Sequence, residues 1–155
     1  MSDDIEMSVP MPLDEDGFLR RECPTCEREL KWLPTENGDP PPPTGYYCPY
    51  CGVQAQPDDW LTKAQVEVIH TKVMREVVGP TMQDFGRNLG RIAQNSGGLI
   101  RAELKAPDIP PEAAPLTEQN DMRRVDFACH PEEPLKVLDD WSDPVYCLIC
   151  GTQRE

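Results

Sequence analysis

Apolar and polar positions along the chain fall into short period-two stretches at both ends and a long period-3.6 stretch between them. Residues 1–16 alternate acids, prolines and methionines without period, which predicts a disordered acidic tail. Gly17 to Glu22 reads as a short strand. Glu27 to Leu33 alternates as a second strand, with Leu30 and Trp32 on one face. The four prolines Pro40 to Pro43 read as a stiff loop at a hairpin tip, and Tyr46-Tyr47 as the returning strand. Pro57-Asp58-Asp59 then gives a helix N-cap signal before Trp60. Leu61, Val66, Ile69, Val73 and Val77 recur at mainly three- and four-residue steps, predicting a helix to about Val78. Gly79-Pro80 is expected to break or kink it. Met82, Phe85, Leu89 and Ile92 form the stripe of a second helix from Thr81 to about Asn95, ended by Ser96-Gly97-Gly98. A hairpin and a kinked rod are both compatible with this pattern. Residues 99–121, rich in proline and alanine, read as a linker, and 122–155 return to short alternations.

The cysteines change this picture. Cys23-Pro-Thr-Cys26 and Cys48-Pro-Tyr-Cys51 are two C-x2-C pairs, each offering two sulfurs from one tight turn. Tetrahedral zinc with roughly 2.3 Å Zn–S bonds asks for sulfurs about 3.7 Å apart, which such turns supply. Gly52, after the second pair, suits a backbone position with positive φ. The pattern resembles the zinc-ribbon and rubredoxin-like knuckle families, whose second knuckle often reads C-P-x-C-G. The resemblance covers about Cys23 to Val53, and implies a metal-stabilised fold rather than an activity.

A degenerate second copy follows. Leu30-Lys-Trp-Leu33 matches Leu135-Lys-Val-Leu138, and Tyr47-Cys-Pro-Tyr-Cys-Gly52 matches Tyr146-Cys-Leu-Ile-Cys-Gly151. Its first knuckle departs from the pattern, because Cys129-His130 stands where C-x2-C is expected. Anchored on the Leu-Lys strand, His130 falls close to the place of Cys26, and Cys129 takes the role of Cys23. Neighbouring residues in an extended strand point to opposite faces, so both reach one ion only where the chain turns. The expected second donor set is Cys129, His130, Cys147 and Cys150, with Asp126, Glu132 and His70 as rival fourth ligands.

Composition narrows the function classes. Eighteen prolines and three phenylalanines leave little for a conventional core, so a staple is needed. The acidic N-terminus lacks an apolar leader, and no run is long enough to span a membrane, so a cytoplasmic location is expected and the paired cysteines read as metal-bound rather than disulfide-bonded. A net charge of −13 opposes non-specific nucleic-acid or membrane binding. Cys48-Pro-Tyr-Cys51 alone matches the glutaredoxin tetrapeptide, but that dithiol needs a helix directly after it, and Gly52 to Pro57 reads as a turn. No other catalytic constellation stands out in the sequence.

The expectation is an α+β protein. Two small zinc-ribbon-like β modules (17–57 and 122–155) flank a central helical segment (58–98), with two Zn2+ ions bound. The expected function is a non-enzymatic interaction or adaptor module with a protein partner. The alternative is nucleic-acid binding through Lys72, Arg75, Arg87 and Arg91 in the only net-basic part of the chain.

Overall fold

The computed structural model describes residues 7–34, 44–101, 103–105 and 107–154. The proline loop expected at 40–43 lies outside the described residues. The fold is α+β, with small sheets carrying the cysteines on either side of one helix in the chain order. The chain divides into two compact units: residues up to 65 together with 116 onward, and residues 66–115.

In the first unit, β1 (Leu19–Glu22) and β2 (Glu29–Trp32) form a hairpin, as do β5 (Met122–Val125) and β6 (Leu135–Leu138). The sequence does not show what joins them. β2 pairs antiparallel with β6, giving one four-stranded sheet in the order β1-β2-β6-β5. The central register pairs Lys31 with Lys136 and Trp32 with Leu135. Because Lys31 and Lys136 are equivalent positions of the repeat, the two copies meet about a local twofold axis through this pair. That is the isologous arrangement of a symmetric dimer, built within one chain.

Each copy adds a two-stranded hairpin that carries its second knuckle, a C-x2-C pair. These are β3 (Tyr46–Tyr47) with β4 (Gln54–Ala55), and β7 (Val145–Tyr146) with β8 (Gln153–Arg154). The hairpins are joined reciprocally. Tyr47 N donates to Leu148 O at 2.8 Å, and Tyr146 N donates to Pro49 O at 3.0 Å. The Tyr50 hydroxyl locks the central seam, donating to Glu29 O at 2.6 Å and accepting from Leu138 N at 2.9 Å.

The lysines at the axis are fully buried, although like charges directly opposite on a sheet repel. Carboxylates from distant segments neutralise them. Lys136 Nζ lies 2.8 Å from Asp14 and 2.7 Å from Asp16, while Lys31 Nζ lies 3.1 Å from Glu118 and 3.3 Å from Asp14. Lys136 is therefore paired with acids that precede the first strand of the other copy, while Lys31 shares Asp14 with it and takes Glu118 from ahead of β5. Two sequence expectations change accordingly. Residues 7–16, expected as part of a disordered tail, place Asp14 in the core and bridge Leu13 to Leu19. Glu118 and Asp121, expected in a linker, bind Arg20 at 3.0 and 2.7 Å.

The helix runs as α1 (Lys63–Val73), a π-helical turn (Met74–Val78) and α2 (Gly79–Asn95) without interruption. Gly79-Pro80 does not break it, so the hairpin alternative is excluded. Proline lacks an N–H and crowds the carbonyl four residues back, and the wider π turn just before it accommodates both defects. The helix also starts later than expected. Asp58 and Asp59 lie in a short 3-10 turn, and the cap is a reciprocal Thr62–Gln65 pair. Gln65 N donates to Thr62 Oγ1 at 3.1 Å, and Thr62 N donates to Gln65 Oε1 at 3.0 Å. This is the T-x-x-Q capping box, a signal present in the sequence.

In the second unit, the chain after α2 returns along the helix as an extended strap. Leu104 Cδ2 would lie 3.4 Å from a Cβ on Gly86, Ile109 Cδ1 3.6 Å from one on Gly79, and Pro110 O accepts from Arg75 at 3.3 Å. Descending helix positions thus meet ascending strap positions. Prolines suit a strap, since it needs reach and no ladder. No described helix is long and apolar enough to cross a membrane.

Candidate metal centres

The first cluster forms where the β1–β2 turn meets the β3–β4 turn. Cys23 N donates to Arg28 O and Glu27 N to Cys23 O, closing one knuckle. Cys48 N donates to Val53 O and Gly52 N to Cys48 O, closing the other. The residue after each C-x2-C pair is left-handed: Glu27 at φ 58° and Gly52 at φ 70°. That backbone turns amides toward sulfur, and the Thr25 and Tyr50 amides each lie 3.3 Å from a Cys Sγ. Between the knuckles, Cys23 Sγ lies 3.8 Å from Cys51 Sγ, and Cys26 Sγ 3.7 Å from Cys48 Sγ. Tetrahedral Zn–S geometry requires about 3.7 Å.

The second cluster is its counterpart across the axis. Cys129, His130, Cys147 and Cys150 bring their ligand atoms within 4.8 Å of one another. His130 Nδ1 lies 3.6 Å from Cys147 Sγ, and Cys150 Sγ lies 3.5 Å from Cys129 Sγ. The first value fits a tetrahedral ion with Zn–N near 2.0–2.1 Å and Zn–S near 2.3 Å, which places the two atoms about 3.6 Å apart. His130 stands against Cys147 as Cys26 stands against Cys48, and Cys129 against Cys150 as Cys23 against Cys51. The rival ligands lie elsewhere. Asp126 pairs with Arg124 at 2.9 Å, and Glu132 and His70 are outside the group.

The strand register explains why this knuckle is irregular. In the first hairpin Glu22 pairs with Glu29, directly before Cys23. Carrying the β5–β6 register one step on puts Asp126 in the place of Glu22, so Phe127 occupies the place of Cys23. Phe127 is 3 % exposed and has become core. The thiol comes two residues later, at Cys129, directly before a turn closed by Glu133 N donating to His130 O. Adjacent ligands can then face one point.

Electrostatics within each cluster pulls the thiols apart. Burial pushes Cys48 far up, with the Cys23 sulfur beside it, and burial also raises Cys51. Cys23 is lowered, because the Cys26 and Thr25 amides outweigh its own burial. In the second cluster burial raises Cys147 to about 11, while the Thr152 side chain and amide lower exposed Cys150 to about 6. The protein's own dipoles therefore stabilise the Cys23 and Cys150 thiolates, and a divalent cation is the group that would stabilise those of Cys48, Cys51 and Cys147.

The clusters are also braced against each other. The Tyr146 ring covers Gly52 and the Tyr47 ring covers Gly151, both glycines at φ 70°. A Cβ on Gly52 would sit 3.4 Å from its tyrosine ring, but one on Gly151 only 2.9 Å. Gly52→Ala is thus expected to cost mainly the left-handed strain, about 1–2 kcal/mol. Gly151→Ala should cost more, since Tyr47 must also move; equal losses in urea unfolding would contradict this packing. The role of Tyr47, Tyr50 and Tyr146 was not visible in the sequence, where the repeated Tyr-Cys pair was the only hint.

Each cluster thus gathers four potential ligand atoms, all within 4.8 Å of one another, that could hold one metal ion. No family model, curated protein or solved structure matches the chain.

Proposed function

We propose that each cluster holds one Zn2+ and that the protein is a non-enzymatic, zinc-stabilised module that binds another protein. The observation that carries this reading is the donor spacing: four protein ligand atoms at each centre, separated as a tetrahedral ion requires. A catalytic zinc keeps one position open for water, and here four protein donors fill the shell. The metal's role is then to staple a fold too small in apolar residues to hold itself. The net charge favours a neutral or basic-patch partner surface overall, with local exceptions.

The nucleic-acid alternative receives less support from the helix. Lys72 lies 4.0 Å from Glu76, Arg87 lies 3.4 Å from Asp84, and Arg75 donates to Pro110 O. Three of the four named cations thus have a polar partner within the unit, two of them an acid on the same helix. Native mass spectrometry is expected to find two zinc ions per chain. A chelator should remove the second ion first, because Cys129 and Cys150 are exposed while Cys23 and Cys48 are buried. One ion or none would overturn the two-centre reading, and loss from the first centre before the second would contradict the order that burial sets. Salt-sensitive retention of an arbitrary duplex, abolished by Arg87→Glu with Arg91→Glu, would overturn the protein-partner reading.

A further inference from the structure

The histidine of the second centre changes what oxidation can do there. In the first cluster all four donors are thiols, arranged as two cross-knuckle pairs. Each pair includes a buried member: Cys23 lies 3.8 Å from Cys51, and Cys48 lies 3.7 Å from Cys26. The second cluster repeats both pairings, but one of them joins buried Cys147 to His130, and an imidazole forms no disulfide. The other joins Cys129 to Cys150, whose sulfurs lie 3.5 Å apart, closer than either cross-knuckle pair of the first cluster.

Both members of that pair are exposed, whereas every other cysteine is buried or half-buried. They belong to different turns. Cys129 directly precedes the turn closed by Glu133 N donating to His130 O, and Cys150 sits in the β7–β8 turn closed by Gly151 N donating to Cys147 O. Neither residue takes part in a strand pairing. A disulfide bond is about 2.05 Å long, so the two sulfurs have to close by only about 1.5 Å.

We propose that Cys129 and Cys150 form a redox-modification site, at which hydrogen peroxide oxidises the pair to a disulfide and empties the second metal centre while the first keeps its ion. This rests on the reading of the second cluster as a zinc site. A metal-bound cysteine is already a thiolate, the nucleophilic form, so no proton has to leave first. One sulfur attacks the peroxide, the O–O bond breaks, and a sulfenic acid and a hydroxide result. The other thiolate attacks the sulfenic sulfur, the S–O bond breaks, and a second hydroxide leaves as the disulfide forms. Two electrons have passed from the sulfurs to the peroxide, and the two hydroxides take up protons to become water. Cys147 and His130 remain, half the donors that a closed site needs. In the first cluster the same reaction has to start from half-buried Cys26 or Cys51, and the cross-knuckle partner of each is buried.

The oxidised centre also has a contact through which the other copy would sense it. The Tyr47 ring packs on Gly151, next to Cys150, and Tyr47 N donates to Leu148 O. Tyr47 in turn precedes Cys48 of the first centre.

The test exposes the zinc-loaded full chain to hydrogen peroxide beside a colorimetric zinc indicator, then blocks free thiols and maps crosslinks by peptide mass spectrometry. One ion should appear at least about tenfold faster than the other, together with a Cys129–Cys150 crosslink. A dithiol reductant with added zinc should restore the ion. Amides of Tyr47 and Leu148 should shift on oxidation, while those of Cys23 and Cys26 hold. Cys129→His keeps four donors of ordinary kinds without the exposed pair, and should slow the release at least about tenfold. Where that variant fails to load its second ion, the crosslink map of the unaltered chain decides. A crosslink between Cys147 and Cys150, release of both ions at one rate, or retention of both in excess peroxide would overturn the proposal and leave the zinc reading standing. A purified chain that binds no zinc would remove the zinc reading, and the proposal with it.

Discussion

Cys48→Ser is expected to unfold the whole first unit rather than one knuckle. Ligands form a site only in the folded state, so the binding free energy of a structural zinc is folding free energy, on the order of 10 kcal/mol per site. That exceeds the usual stability of a domain of this size, about 5–15 kcal/mol, or takes most of it. The loss spreads because the copies share a sheet. Tyr47 N reaches Leu148 O, and the Tyr50 hydroxyl, two residues from Cys48, binds Leu138 N across the axis. Tryptophan fluorescence and the amide signals of β5 and β6 should therefore collapse together with those of β1 and β2. The helix, outside this network from Val66 onward, should keep part of its circular dichroism. Native-like β5–β6 signals in the variant would show that the copies fold independently.

The second large effect is expected at Asp14. Its carboxylate sits between two buried ammonium groups, 2.8 Å from Lys136 and 3.3 Å from Lys31. Removing one partner of a buried charge cluster typically costs about 3–5 kcal/mol, and Asp14→Asn should fall in that range in urea unfolding at neutral pH. Adding Lys136→Met should recover part of the loss, since one stranded charge is gone; simple additivity would deny the coupling. The pH dependence has a definite sign. Burial opposes ionisation of Asp14, but Lys136, the Phe18 amide and Lys31 outweigh it and hold its pKa at about 2 instead of 3.8. A depressed carboxylate contributes stability that is full above its unfolded pKa and fades as pH falls toward 2, worth about 2–3 kcal/mol here. Between pH 7 and 5 the gap between wild type and Asp14→Asn should stay constant. A gap that narrows across that interval would place the titrating group elsewhere.

The knuckles were legible because their chemistry is local: a C-x2-C pair and the glycine after it lie within five residues. The copy was legible for the same reason, and Cys129-His130 could be aligned to it by counting from the Leu-Lys strand. What escaped was everything fixed across long separations. Lys31 alternates with Leu30 and Trp32 and so reads as a solvent-facing residue, yet it is fully buried. Its partners Glu118 and Asp14 lie far away in the sequence, in stretches whose composition suggests disorder. No period or motif announces that β2 will pair with β6. The helix start was legible but misassigned, since two acids outweighed the Thr62–Gln65 box. Residue preference at Gly79-Pro80 is compatible with either a break or a kink, and the π turn before it removes the first.

The helix-and-strap excursion also bears on how the two halves of the sheet find each other. Gln65 Nε2 donates to Arg20 O at 2.9 Å, and Arg20 Nε donates to Glu118 at 3.0 Å, so the chain leaves and re-enters the first unit at a single arginine. A free loop of that length would have to be closed against its own entropy, though the penalty grows only as about (3/2)RT ln n. Once the strap is seated along the helix, most of that entropy is already lost, and β6 is delivered to β2 at high effective concentration. Strands a hundred positions apart then meet almost as neighbours, which turns an intervening segment of some fifty residues from an obstacle into a guide for assembly.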